Sequence, residues 1–163
     1  MTQAEFKEQR RSRSIAMTSD ERDEFLRSER VCRVASVGGD GAPHVTPLWF
    51  VWDGASLWLN SIVRSQRWVD LAHHPRTAIV IDGGVEFSDL HGVEIEGLAE
   101  QVGDVPRTAE PNDELAPIEL AFARKYANSD VFFPDGRHGW LRVTPSKISS
   151  WDFRKNQALQ TPR

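Results

Sequence analysis

At 163 residues the chain has room for one domain with a packed core, and no linker or composition shift divides it into two. A net charge of -4 gives no overall attraction for nucleic acid, and no apolar run approaches the roughly 20 residues of a membrane span. The one cysteine, Cys32, rules out an internal disulfide or a multi-thiolate metal site. No apolar stretch follows Lys7, Arg10, Arg11 and Arg13 to make a secretory signal, so a cytoplasmic setting is expected.

In chain order, the basic cluster over 7–13 reads as a solvated arm. Thr18 followed by Glu21 forms a capping box, and Phe25 with Leu26 gives a short opening helix its apolar side. Strands are predicted over 31–37 and 44–52, separated by the turn Gly38-Gly39-Asp40-Gly41. Asp53-Gly54 then marks a hairpin into a strand over 56–61. A helix follows, from Ser65 through Trp68, Val69, Leu71 and Ala72 to its stop at Pro75. Strands are predicted again over 76–82 and 93–100, the latter alternating Val93, Ile95, Gly97 and Ala99 with glutamates. Residues 112–127 carry Leu115, Ile118, Phe122 and Tyr126 at helical spacing, with Pro117 delaying the regular turns. Strands over 140–143 and 148–153 close the chain. So many antiparallel strands with short helices favour a barrel, with a sandwich as the rival.

Chemistry is sparse in this pattern. The glycine tract lacks the lysine and the following helix of a phosphate loop. His44, His73, His74, His91 and His138 have no metal-ligand spacing, and no metal is expected; His91 is the one weighed for lining a pocket. Cys32 reads as core, Ser36, Ser61 and Ser65 lack a nucleophile elbow, and Glu94 and Glu96 read as a solubilising pair. The best lead is 61–67, where a strand end, a loop with Arg64 and a helix start with Ser65 and Arg67 suit an anion. A plain serine cap beside an exposed arginine is the alternative, and the residues alone do not separate the two. Trp49, Trp52, Trp58, Trp68, Trp140 and Trp151 provide aromatic surface suited to a core, an interface or a flat ligand.

Leu57-Trp58-Leu59-Asn60-Ser61, Ser65-Gln66-Arg67, Leu71 and His74-Pro75-Arg76 together resemble the signature of the pyridoxamine 5'-phosphate oxidase-like split-barrel family. Pro43 to Phe50, Gly97 to Glu100 and Ser150 to Lys155 fit it too, so the likeness spans about 18–155. It implies a mainly β, antiparallel Greek-key split β-barrel of the FMN-binding type over 15–155, with an arm at 1–14 and a tail at 156–163. It is nearer the flavin and deazaflavin oxidoreductase branch than the true pyridoxamine phosphate oxidases. Those carry a longer C-terminal segment rich in arginine and histidine, without counterpart after Lys155. Arg67 stands where relatives commonly have lysine, and either cation suits phosphate.

The resemblance implies a homodimer whose seam holds FMN or the deazaflavin coenzyme F-420. Ser65, Gln66 and Arg67 would hold the phosphate, while Pro47, Leu48, Trp49, Asn60 and Ser61 border the ring. Trp151 and Lys155 would approach from the second chain. The function expected is a reductase that transfers hydride to a small unsaturated or oxidised acceptor. An FMN-dependent oxidase and a non-catalytic carrier of a cofactor or tetrapyrrole are the alternatives, so whether the chain is an enzyme stays open at this point.

Overall fold

The computed structural model describes residues 7, 9, 10, 12–156 and 158, so the arm over 1–14 and the tail over 156–163 fall largely outside it. Helix α1 (Ser19–Ser28) starts at the expected capping box: Glu21 N donates to Thr18 Oγ1 at 3.2 Å, and Thr18 N donates to the Glu21 carboxylate at 2.7 Å. Its Leu26 is buried against the barrel. Strand β1 (Cys32–Val37) turns at Gly41, whose φ of 81° only glycine adopts freely. Strands β2 (Pro43–Leu48) and β3 (Phe50–Trp52) follow, then the Asp53-Gly54 hairpin and β4 (Leu57–Ile62).

Helix α2 (Gln66–His73) carries the chain to β5 (Arg76–Gly83), and β6 (His91–Val102) comes next. Helix α3 (Ala116–Ala127), with Pro117 in its first turn, precedes β7 (His138–Asp152). The strand order is β2-β1-β5-β6-β7-β4-β3, antiparallel throughout. The two ends of this order are successive parts of one extended stretch, with only Trp49 between them. Residues 43–48 pair with β1 and 50–52 with β4, so the sheet curls and closes, which decides for the barrel over the sandwich.

One expectation needs correction. The segments 140–143 and 148–153 are a single strand, β7, bent at a bulge where the register slips between Glu96 and Gly97. Thr144-Pro145-Ser146 reads as a break because proline leaves a ladder hydrogen bond unmade, but a bulge accepts that loss. Gly97 permits it: a Cβ there would lie 2.4 Å from the Thr144 carbonyl oxygen.

Two apolar clusters hold the molecule. The interior joins Val34, Phe50, Leu59, Trp68, Ile79, Ile95 and Leu141, among others. A second lies between the outer face of the sheet and α3, built on Val51, Trp58, Leu115, Ile118 and Trp140. Four of the six tryptophans, Trp52, Trp58, Trp68 and Trp140, are therefore spent on this chain's own core, leaving Trp49 and Trp151 for other uses.

Candidate functional site

The strand β4 ends at Ile62, and α2 begins four residues later with Ser65 as its cap, whose Oγ accepts from Trp68 N at 3.2 Å. This leaves the N–H groups of Gln66 and Arg67 without helical acceptors. The helix is fastened to β1 through the buried carboxylate of Asp70, which accepts from Ser36 Oγ at 2.8 Å and from Gln66 Nε2 at 2.7 Å. The hydrogen bond from Gln66, with that from Ser36, holds the Asp70 carboxyl below its ordinary pKa despite burial. Gln66 thus spends its side chain on bracing the helix, and its backbone N–H is what it offers an anion.

Arg67 is the unusual residue. Its guanidinium is not in solvent: the residue is 6% exposed. Nε and Nη2 donate to Ser61 Oγ at 3.3 and 3.0 Å, and Nη1 donates to Thr46 Oγ1. Ser65 Oγ lies 3.5 Å from Ser61 Oγ. Among the described residues no carboxylate pairs with Arg67, and burial pulls its pKa below the ordinary value. A guanidinium stays protonated, so this is a buried cation met only by neutral hydroxyls. Three hydroxyls, a cation and two N–H groups at a helix start gather the kinds of donor that can meet an anion.

Beside the clasp lies an aromatic shelf. Trp49, in the break between β2 and β3, is 47% exposed and stacks on Tyr126 with ring centres 4.4 Å apart and planes 9° apart. Tyr126 is held in turn by the backbone of Phe50 and Arg30, and burial pushes its hydroxyl pKa up to about 12. Lys125, half-buried against the Phe50 ring, is pulled down to about 8 by the same cause. Leu48, Trp49 and Asn60 also line a cleft of about 320 Å³ that runs toward α3 and the loop before β7. Asn60 Nδ2 is shielded from solvent there without an acceptor, a shortfall worth about 1–3 kcal/mol.

Residues 18–152 match the family model described as pyridoxamine 5'-phosphate oxidase. The chain belongs to the pyridoxamine 5'-phosphate oxidase family. Among solved structures it is similar to the conserved hypothetical protein Rv2991 from Mycobacterium tuberculosis. That match has 28% identity over 95% of each chain and a TM-score of 0.76. A structure named F420 reductase matches at 22% identity, over 78% of this chain and 94% of that one, with a TM-score of 0.59. A FAD-binding protein from Mesorhizobium loti matches at 19% identity, over 83% and 93%, with a TM-score of 0.63. No curated protein matches the chain.

Within this family frame the expected site residues fall into three places. Ser61, Ser65 and Arg67 converge with Thr46, which the sequence reading passed over although it stands inside the matching 43–50 segment. Leu48, Trp49 and Asn60 line the cleft, while Pro47 is exposed in β2 opposite Arg33 of β1. Trp151 and Lys155 lie elsewhere in this chain. Trp151 borders a larger cleft of about 610 Å³ with Lys7, Gln9 and Lys147, where the Gln9 side chain pairs with the backbone of Ser150. Lys155 Nζ donates to Ala16 O at 2.9 Å and to the Glu21 carboxylate. His91 does line a pocket, together with Phe25, Glu21 and Asp152.

The cleft region also sets an acid limit. Hydrogen bonds from Thr108 and Arg107 bring the Asp104 carboxyl down to about 2. Asp135 also stands at about 2, because the N–H groups of Arg137 and His138 and the His138 ring outweigh its burial. Unfolded aspartates take protons near 3.9, so between about 4 and 2 the unfolded chain binds more protons and acid favours it. The melting temperature should hold above pH 4 and fall as pH drops toward 2. Asp104→Asn should melt lower at neutral pH yet lose less over that range, and parallel curves for the two proteins would refute the assignment.

Proposed function

We propose that this protein binds the phosphate of a flavin-type cofactor, FMN or the deazaflavin coenzyme F-420, in the clasp of Arg67, Ser61, Ser65 and Thr46. The observation that carries the reading is the buried Arg67 guanidinium without a carboxylate partner, a charge an entering phosphate would complete. Phosphate would also accept from the N–H groups of Gln66 and Arg67 at the start of α2. Pro47 and the Trp49 shelf would flank the ring system, with Trp49 kept in plane by Tyr126. Bound there, the cofactor supplies hydride chemistry, and the protein's part is to hold, orient and shield it.

On this reading the protein is a homodimeric reductase acting on a small unsaturated or oxidised acceptor. Trp151 and Lys155 of a second chain would border each site; in the present chain Lys155 is held by Glu21, an exposed pair that can exchange partners at little cost. The named F420 reductase and FAD-binding protein of the same fold support the cofactor class without deciding between its members. The test is titration of purified protein with FMN and with F-420, followed by tryptophan emission, with sedimentation in parallel. Saturable binding of at least one cofactor to a dimer is expected. A monomer that binds neither would overturn the reading.

A further inference from the structure

Whatever occupies the cleft under α3 meets few groups able to move a proton. Its walls are mostly aromatic, with Trp49, Phe122, Phe132 and Phe133, and about 320 Å³ suits a small molecule. Among the described residues that line it, Arg107, Asp135 and His138 alone carry ionisable side chains. Arg107 keeps its proton throughout and is met by Asp104 and Glu119. Asp135, at about 2, is an ionised carboxylate near neutral pH and has no proton to give. His138 is left, and imidazole is the side chain suited to give and regain a proton in that range.

The loop before β7 holds that ring in place. Asp135 Oδ1 accepts from the backbone N–H groups of Arg137 and His138 at 2.9 and 3.0 Å, which fixes the turn. Asp135 Oδ2 then accepts from His138 Nδ1 at 2.6 Å. With Nδ1 committed, the ring nitrogen left to serve an occupant is Nε2. A proton there as well makes the ring the cationic partner of the Asp135 carboxylate. In that form the charges about the cleft balance, Arg107, Arg137 and His138 answering Asp104, Glu119 and Asp135.

A reductase needs such a group. An unsaturated acceptor that takes a hydride at the carbon β to its carbonyl gains two electrons and one proton. Its C=C pair shifts toward the carbonyl oxygen, leaving an enolate that requires one more proton. Trp49 flanks the proposed cofactor ring and also lines the cleft, so an acceptor in the cleft lies beside that ring.

We propose that the cleft seats the acceptor with its oxyanion on His138 Nε2, and that the Asp135–His138 pair donates the second proton. The Nε2–H bond breaks as the enolate is protonated, and the imidazole recovers its proton from water. The acceptor is reduced and the reduced flavin or deazaflavin, the hydride source, is oxidised. The role in reduction rests on the proposed function, whereas binding of an oxyanion beside His138 does not.

The probe is 4-nitrophenol, a flat ring whose oxyanion resembles an enolate and whose phenolate form alone is yellow, added to purified protein without cofactor. In buffer acid enough to keep the free phenol colourless, binding should bring out the phenolate colour at one molecule per chain. 4-Nitroanisole, which cannot form the anion, should bind about tenfold more weakly or worse by calorimetry, a comparison that needs no variant. His138→Gln should lose the colour and about tenfold in affinity, Asp135→Asn should fall between, and Arg67→Met should match the parent. Binding without colour, equal binding of the two probes, or no binding would overturn the proposal. So would a colour that survives His138→Gln and vanishes with Arg67→Met, which would put the anion in the clasp. If the colour follows His138 while neither cofactor binds, the oxyanion site stands and the reductase reading fails.

Discussion

Arg67→Met should lose one to two powers of ten in affinity for FMN or F-420 and yet unfold at the same temperature as the parent or higher. The two halves of this result have one cause. Taking a guanidinium out of water costs several kcal/mol, and Arg67 recovers that cost only from Ser61 and Thr46 hydroxyls. Methionine is flexible and of similar bulk, though shorter, and carries no charge, and the freed hydroxyls can turn to one another or to water. With phosphate present the balance reverses. A charge-assisted contact is worth about 1.5–3 kcal/mol, the stated loss in affinity. Arg67→Lys should fall between, since it keeps the charge and loses the fork. Thermal melts without cofactor, set beside the titrations, check both halves together. A large fall in melting temperature with unchanged affinity would make Arg67 a structural residue and move the clasp elsewhere.

Much of the fold was legible because its signals are local. Thr18 with Glu21, Asp53 with Gly54, and the alternation through 93–99 each declare an element within a few residues. What the sequence hid is what closes the barrel: the stretch 43–52 pairs with β1 through one half and β4 through the other, and Trp49 at the change looks like any strand aromatic. Pro145 misled for a related reason, since only its position opposite Gly97 shows that it occupies a bulge rather than a loop.

The candidate site was legible in part. Ser61, Ser65 and Arg67 were found through their spacing at a strand-to-helix junction. Whether Arg67 points to solvent or inward was not, because burial depends on packing between α2 and β2, which are remote in sequence. Thr46 went unnoticed for the same reason, a threonine in a strand being ordinary until Arg67 reaches it. His138 had a local signal that was not used: Asp135 precedes it by three residues, the reach of a turn that lets the carboxylate hold the ring. Six tryptophans left core, interface and flat ligand all open, and four proved to be core, because composition cannot tell a face from a filling.

The other buried arginine should behave in the opposite way, and the contrast tests the argument as a whole. Arg107 is 5% exposed, nearly the same as Arg67, yet two carboxylates meet it: Glu119 at 2.7 Å and Asp104 at 2.8 Å. Glu119 also accepts from Trp140 Nε1 at 3.1 Å, and Arg107 N donates to the His138 carbonyl at 2.8 Å. The cluster thus ties α3 to β7 and holds the floor of the cleft. Arg107→Met leaves the half-buried Glu119 charge without its partner, and breaking such a pair costs about 3–5 kcal/mol. For a chain of this length that lowers the melting temperature by roughly 10 °C or more. Phosphate binding at the clasp, measured well below that temperature, should change little, since Ser61 and Asn60 leave opposite faces of β4 and only Asn60 shares the cleft with Arg107. Adding Glu119→Leu should recover part of the loss, because a buried pair replaced by apolar side chains no longer strands a charge. Recovery stays partial, as Asp104 and Trp140 Nε1 each keep a missing partner. Melting curves of the single and double variants decide the matter, and a single variant within about 2 °C of the parent would show that the two buried arginines are not distinguished by their partners.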